Sequence, residues 1–387
     1  MKMSHVTFEL FSEEMIQAPY GFYAALRRSS PVHYFASSDI WTVACRADVI
    51  TALRRTDLFS SVGVASLEGT LLGADPPGHT PVRKIVGPAF SPAGVATLED
   101  SIAHHVRELL PDAIGFRDWD LMANLARPFP MLVMADLLGL AATDAASLMA
   151  WADDEVMGES SHAPTVRQAI DRRKAWASEF FQAYADGLTR ESARGTVGIC
   201  FADGLVSGNL NRSQVADLAK LFVIAGSETT ANLIGNATAV LVDHPELFRR
   251  IEADRALIPA FIEEALRYDT PAQNLLRRCT QPTDLGGVSI PQGALVMLLL
   301  GSANRDSAYF SDPDAFDVAR KPADHLAFGL GTHFCLGARL ARVEARIAFQ
   351  ELFSRLPNGA TLSTPGRRIF RHSSRIRGLE TFRLRLA

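Results

Sequence analysis

Only four cysteines occur in the 387 residues, Cys45, Cys200, Cys279 and Cys335, and no two stand as C-x-x-C or C-x-x-C-H. That spacing argues against a zinc site and covalent haem attachment, and it leaves no disulfide framework. Sparse, unpaired thiols suit a reducing compartment, so the cytoplasm is the expected location. No charge sign dominates: 39 basic residues face 43 acidic ones, net −4, too weak a positive field for a dedicated nucleic-acid binder. Long apolar runs are missing too. Glu9, Glu13 and Glu14 interrupt the N-terminal segment, and the most apolar stretch, Ala294 to Ala303, is about half of the roughly 20 residues a bilayer span needs. Neither an export signal nor a membrane anchor is expected. Repeats, low-complexity tracts and linker-like breaks are also absent, which favours a single domain over residues 1–387.

The composition that remains is ordinary globular, 48% hydrophobic and 21% charged, enough for a core that could enclose a cofactor. The hydrophobic period predicts a mainly α fold with a small β portion. Alternation in Val32-His33-Tyr34-Phe35 and Trp41-Thr42-Val43 marks a β-rich part at roughly 30–60, with others at roughly 275–300 and 360–387. Helical period dominates roughly 80–270 and 336–353, with breaks expected at Pro111, Pro128, Pro130, Pro164 and from Gly195 to Asn209. Asn211-Arg212-Ser213 offers caps for a helix from Gln214 to about Val242, long enough at about 1.5 Å per residue to cross the molecule. The Gly-, Ser- and Pro-rich segment from Ser60 to His79 reads as a long loop and a candidate lid.

Several strings carry chemistry. Phe328-Gly329-Leu330-Gly331-Thr332-His333-Phe334-Cys335-Leu336-Gly337 places Cys335 at a helix start, where unpaired N–H groups and the helix dipole favour a thiolate, the form that binds iron. Gly329 and Gly331 let the backbone curl around the sulfur, and Gly337 leaves room for a flat macrocycle. A cysteine outside such a string is more often a buried structural one. Glu264 and Arg267 share a helical face at i and i+3, a spacing that usually marks a solvated pair. Ala225-Gly226-Ser227-Glu228-Thr229-Thr230 sets glycine and adjacent threonines inside the long helix, against local propensity. One reading is a widened turn that admits dioxygen, with a hydroxyl beside a carboxylate to pass protons; the other is a kink with Thr229 bonding its own i−4 carbonyl. His79, Arg83, Arg277 and His333 are basic candidates for partly buried anions, with Arg278 competing against Arg277; each alone could equally be a solvated charge. Arg339, Arg342 and Arg346 make a basic helix face, either solvated or a dock for an acidic electron-transfer protein.

The cysteine string resembles the haem-binding loop of the cytochrome P-450 family, F-G-x-G-x-H-x-C-x-G, at every defined position. The resemblance runs over most of the chain. It implies the cytochrome P-450 fold, with a b-type haem (iron protoporphyrin IX) between the long helix and the cysteine-loop helix, and with Cys335 as the axial iron ligand. It maps the family's A-G-x-[DE]-T-T proton-delivery pair onto Glu228 and Thr229, with Glu the less usual acid, and places Ala225 and Gly226 against the cofactor. The D-P-P-x-H-x-x-x-R segment supplies His79 and Arg83, which with Arg277 and His333 are the implied propionate partners, while Phe328, Gly329 and Gly337 shape the loop. Glu264, Arg267 and Arg320, after Pro313-Asp314-Ala315-Phe316, form the implied structural network.

The activity implied is monooxygenation: dioxygen, two electrons from a separate ferredoxin or flavodoxin with an NAD(P)H-dependent reductase, and hydroxylation or epoxidation of a small, largely apolar substrate. Peroxygenase, coupling or dehydration chemistry is the first alternative, and a nonenzymatic haem-thiolate sensor or carrier the second, although no output module is evident. Family placement puts Phe222, Leu275, Leu276, Arg375 and Ile376 at the substrate pocket. An inward Arg375 would select acidic substrates; facing solvent or a propionate, it would not.

Overall fold

The computed structural model describes residues 9–64, 70–112, 117–157, 164–320, 324–357, 359–360, 362–373 and 375–386. The candidate lid therefore lies partly outside the described residues, at 65–69.

The long helix is Arg212–Asp243, of 32 residues, and spans roughly 48 Å. Its start is fixed by a capping box: the Asn211 side chain accepts from the Gln214 N–H, and the Gln214 side chain accepts from the Asn211 N–H, both at 2.9 Å. Apolar or small side chains on nearly every face bury it, and the helices Pro128–Leu138, Pro164–Gly187, Ile258–Tyr268 and Ala338–Arg355 pack around it. Two of the expected breaks turn out to be helix starts. Pro128 and Pro164 open helices, since a first-turn proline lacks only an N–H that would be unpaired anyway. The stretch from Gly195 to Asn209 holds the helix Thr196–Val206; its Gly198 faces the Leu138 carbonyl so closely that a Cβ would sit 2.8 Å from it.

The β portion centres on a five-stranded sheet in the order Val32–Phe35, Ile40–Val43, Leu295–Leu299, Asn274–Cys279, Phe59–Ser60. Ile40–Val43 runs parallel to Leu295–Leu299, a pairing between segments far apart in the chain. Gly286 and Gly287, at φ 58° and 77°, turn the hairpin of Thr283–Leu285 and Val288–Ile290. Within the region read as helical, Arg117–Asp120 is a strand paired with Arg383–Leu386, a long-range pairing that local period does not signal.

Glu264, Arg267 and Arg320 come together, and the Glu264–Arg267 pair is buried. Arg267 grips Glu264 with two bonds of 2.7 and 2.8 Å and donates to the carbonyls of Asn304, Pro313 and Ala315. Arg320 Nε reaches the same carboxylate at 3.2 Å. This knot ties the helix Ile258–Tyr268 to the segment leading into the cysteine loop.

Candidate active site

A cavity of about 270 Å³ lies between the long helix and the cysteine loop. Ala225, Gly226 and Thr229 face it from one side, and Phe328, Gly329, Cys335 and Gly337 from the other. Gly329 and Gly331, at φ 68° and 73°, make the tight loop, and the Cys335 N–H closes it on the Phe328 carbonyl at 2.9 Å. The helix proper starts at Ala338, so Cys335 precedes it by three residues, and the N–H offered to its sulfur is that of Gly337. The thiol opens onto the cavity yet lies deep in the protein. Burial pushes its pKa up, while the Gly337 N–H and the charges of Arg83 and Arg342 pull it down.

Arg83 is committed to the loop itself: its guanidinium donates to the Phe334 carbonyl at 2.7 Å and to that of Thr332 at 3.4 Å. These two bonds brace the cysteine loop and use only part of the five-donor guanidinium, which lines the cavity. His79 and His333 stack with ring centroids 4.7 Å apart, and His333 Nε2 lies 2.9 Å from Asp75 and 3.2 Å from Ser61 Oγ. Burial and the neighbouring His333 and Arg83 charges lower the His79 pKa to about 4. Arg277 is buried, donates to the Leu276 carbonyl at 2.8 Å, and has no partner for its buried Nε among the described residues. Desolvation lowers its pKa to about 10. Arg278 points outward, bonded to the Gly293 and Gly63 carbonyls. Alternation along the strand thus separates the two arginines.

The central string departs from its expected form. The long helix runs as an unbroken α-helix through Ala225–Thr230, and Thr229 Oγ1 donates to the Ala225 carbonyl at 2.8 Å, the i−4 bond of the alternative reading. Glu228 is buried and does not line the cavity. It accepts from Arg371 at 2.8 Å, and Arg371 binds Asp153 at 2.8 Å in turn. Burial raises the Glu228 pKa to about 7 against the opposing pull of Arg371. Arg371 lies 143 residues from Glu228 in the chain, so no local pattern pairs the two.

Phe222 and Leu275 line the cavity with Leu71, Leu72, Phe90 and Met134. Leu276 and Ile376 do not: Leu276 packs against the cluster around Tyr23, and Ile376 bridges to Ala272. Arg375 is exposed, outside the cavity, because the turn that presents it is folded back by Ser373 Oγ on the N–H groups of Arg375 and Ile376. On the cysteine helix, Arg342 is paired with Glu263 and Arg346 with Glu99, so two of the three arginines of the basic face are neutralised.

An orphaned guanidinium nitrogen at Arg277, a cysteine open to a cavity, and Gly337, where a Cβ would meet nothing within 4 Å, fit a flat anionic macrocycle with a thiolate-bound metal. Such a site is of the haem-thiolate class. A sequence model of the Cytochrome P-450 family matches residues 157–357. The putative cytochrome P-450 YjiB of Bacillus subtilis is 32% identical over 376 residues, 95% of this chain and 94% of that protein. The vitamin D(3) 25-hydroxylase of Pseudonocardia autotrophica is 32% identical over 96% of this chain and 94% of its own length. The crystal structure of CYP109E1 from Bacillus megaterium in complex with testosterone superposes with a TM-score of 0.89 at 31% identity, covering 97% of this chain and 99% of that one. The chain belongs to the cytochrome P-450 family and is a haem-dependent monooxygenase.

Proposed function

We propose that the protein binds b-type haem through Cys335 and inserts one oxygen atom, by hydroxylation or epoxidation, into a small apolar substrate. The observation that carries this reading is the Cys335 thiol, open to the cavity at the start of its helix, with the Gly337 N–H favouring its charged form. When bound, the haem supplies oxygen activation, assisted by electron donation from the thiolate. The chain's residues supply the rest. Arg83 and the Gly337 N–H support the sulfur's negative charge, and the unpartnered Arg277 Nε is the donor for a propionate. His79 and His333 stand beside it as further propionate partners.

Phe90, Phe222, Leu71, Leu72 and Leu275 give the substrate side apolar contact and exclude water, which suits an uncharged, compact molecule. Relatives named for testosterone binding and vitamin D(3) hydroxylation support a polycyclic or similarly apolar ligand. Electrons come from a ferredoxin or flavodoxin with its NAD(P)H-dependent reductase. The exposed Arg339, which forms no ion pair among the described residues, is a contact point for an acidic donor beside Arg342 and Arg346. Among the described residues no helix is long and apolar enough to cross a membrane, and the cytoplasm is the proposed location.

Cys335→Ala tests the assignment. The reduced carbon monoxide complex of the wild type should show the thiolate-type Soret band and the variant should not. Retention of that band would transfer the ligand role to another residue.

A further inference from the structure

Two glycines interrupt the long helix, Gly226 and Gly235, and each is covered by a methionine. A Cβ added at Gly235 would lie 2.6 Å from Met122 Sδ; one added at Gly226 would overlap Met134 Sδ and lie 3.1 Å from both Cγ and Cε. Each thioether takes the place a side chain would fill, which accounts for glycine where a helix interior disfavours it. Gly226 lies in ordinary helical backbone, so the thioether is what an alanine there would meet. The two seats differ in their surroundings. Met122 is fully buried and stays clear of the cavity, whereas Met134 lines it together with Gly226, Phe90 and Phe222. Met134 projects from the helix Pro128–Leu138, whose Met131, Val133, Leu137 and Leu138 are each 1% exposed, so among the described residues the cavity is the open space on its flank. A methionine side chain has three rotatable bonds and a soft sulfur, and exchanges one packing position for another at little cost.

We propose that Met134 is a specificity-determining residue, a movable wall of the cavity whose position is set by Gly226. Seated on the glycine, the thioether leaves the cavity at its observed size of about 270 Å³; displaced from that seat, the side chain swings inward and excludes wide ligands. The proposal rests on the haem-thiolate reading, since the space it controls is the space left to the substrate. An unbranched apolar chain suits the role, because no hydrogen bond fixes it and it adapts to ligands of different outline. The ligands it selects are apolar molecules wide enough to need the seated position, while narrow ones are indifferent to it.

The test reads azole binding to the haem-loaded enzyme by spectral titration, with imidazole as the narrow probe and 4-phenylimidazole as the wide one. The quantity compared is the affinity for the wide probe relative to the narrow one, which cancels general effects on the haem. Gly226→Ala should lower that ratio at least about tenfold, the scale on which an apolar pocket rejects an oversized group. Met134→Ala should raise it at least about threefold, because the wall is removed. The double variant, Gly226→Ala with Met134→Ala, should return to within about threefold of wild type, because the new Cβ then fills the vacated seat. Gly235→Ala displaces Met122 in the same way outside the cavity, and its ratio should stay within about twofold of wild type. A Gly226→Ala or Met134→Ala ratio within about twofold of wild type, a double variant no better than Gly226→Ala, or an equal fall in Gly235→Ala would overturn the proposal. Should Gly226→Ala fail to load haem, Met134→Ala decides alone: a ratio raised about threefold supports the movable wall, and an unchanged ratio removes it. Failure of the parent reading would show separately, in the Cys335→Ala carbon monoxide spectrum.

Discussion

Replacing Arg267 by methionine removes five hydrogen bonds of the knot beneath the cysteine loop: two to Glu264 and one each to the carbonyls of Asn304, Pro313 and Ala315. Glu264 keeps Arg320 Nε at 3.2 Å and the Asp317 N–H at 3.0 Å, so its charge is weakened in partnership without being orphaned. Ala315 keeps a long bond from Arg320, whereas the buried Asn304 and half-buried Pro313 carbonyls lose a strong donor. Breaking a buried pair from one side costs about 3–5 kcal/mol, and the surviving partners place this case near the lower end, at about 3–4 kcal/mol. An unfolding entropy of about 2.1 cal/mol/K per residue over 387 residues gives roughly 0.8 kcal/mol/K, so the melting temperature should drop by about 4–5 °C. Calorimetry or circular dichroism at matched haem loading measures it. Pairing the change with Glu264→Gln should cost less than the sum of the two single changes, because both break the same contact. A shift under about 1 °C, or strict additivity, would refute the claim that this pair is a buried, shared structural element.

Two further outcomes follow from the site's periphery. Burial raises the Glu228 pKa to about 7 from the ordinary 4.5, so its contribution to stability is full below pH 4.5 and is lost as pH rises through about 7. The stability of Glu228→Gln relative to wild type should therefore climb between those pH values in denaturant titrations; a flat difference would contradict the burial argument. Arg375 is exposed, so Arg375→Leu should bind an acid and its methyl ester as the wild type does, in spectral titrations of the haem band. A loss confined to the acid would place that guanidinium in the cavity.

Local signals were enough for much of this protein. The glycines of the cysteine loop are legible because only a left-handed backbone makes so tight a turn, and the capping box at Asn211 and Gln214 announces its helix within four residues. The Glu264–Arg267 spacing put both groups on one face, though nothing local distinguished a solvated pair from the buried one observed. Proline misled where it starts helices, since the same residue ends one helix and opens the next.

Partnership at long range was decided by the tertiary structure alone. Arg371 meets Glu228 across 143 residues, and that contact turns the acid of the central helix from the cavity. Arg83 met loop carbonyls, and Arg375 met solvent, because each position depends on how separate segments pack. The sequence by itself determined which residues could carry a thiolate, a proton or a guanidinium, since those capacities belong to the side chains and their immediate backbone. Which of them face the cavity was decided only when distant helices closed around one another and removed the water between them.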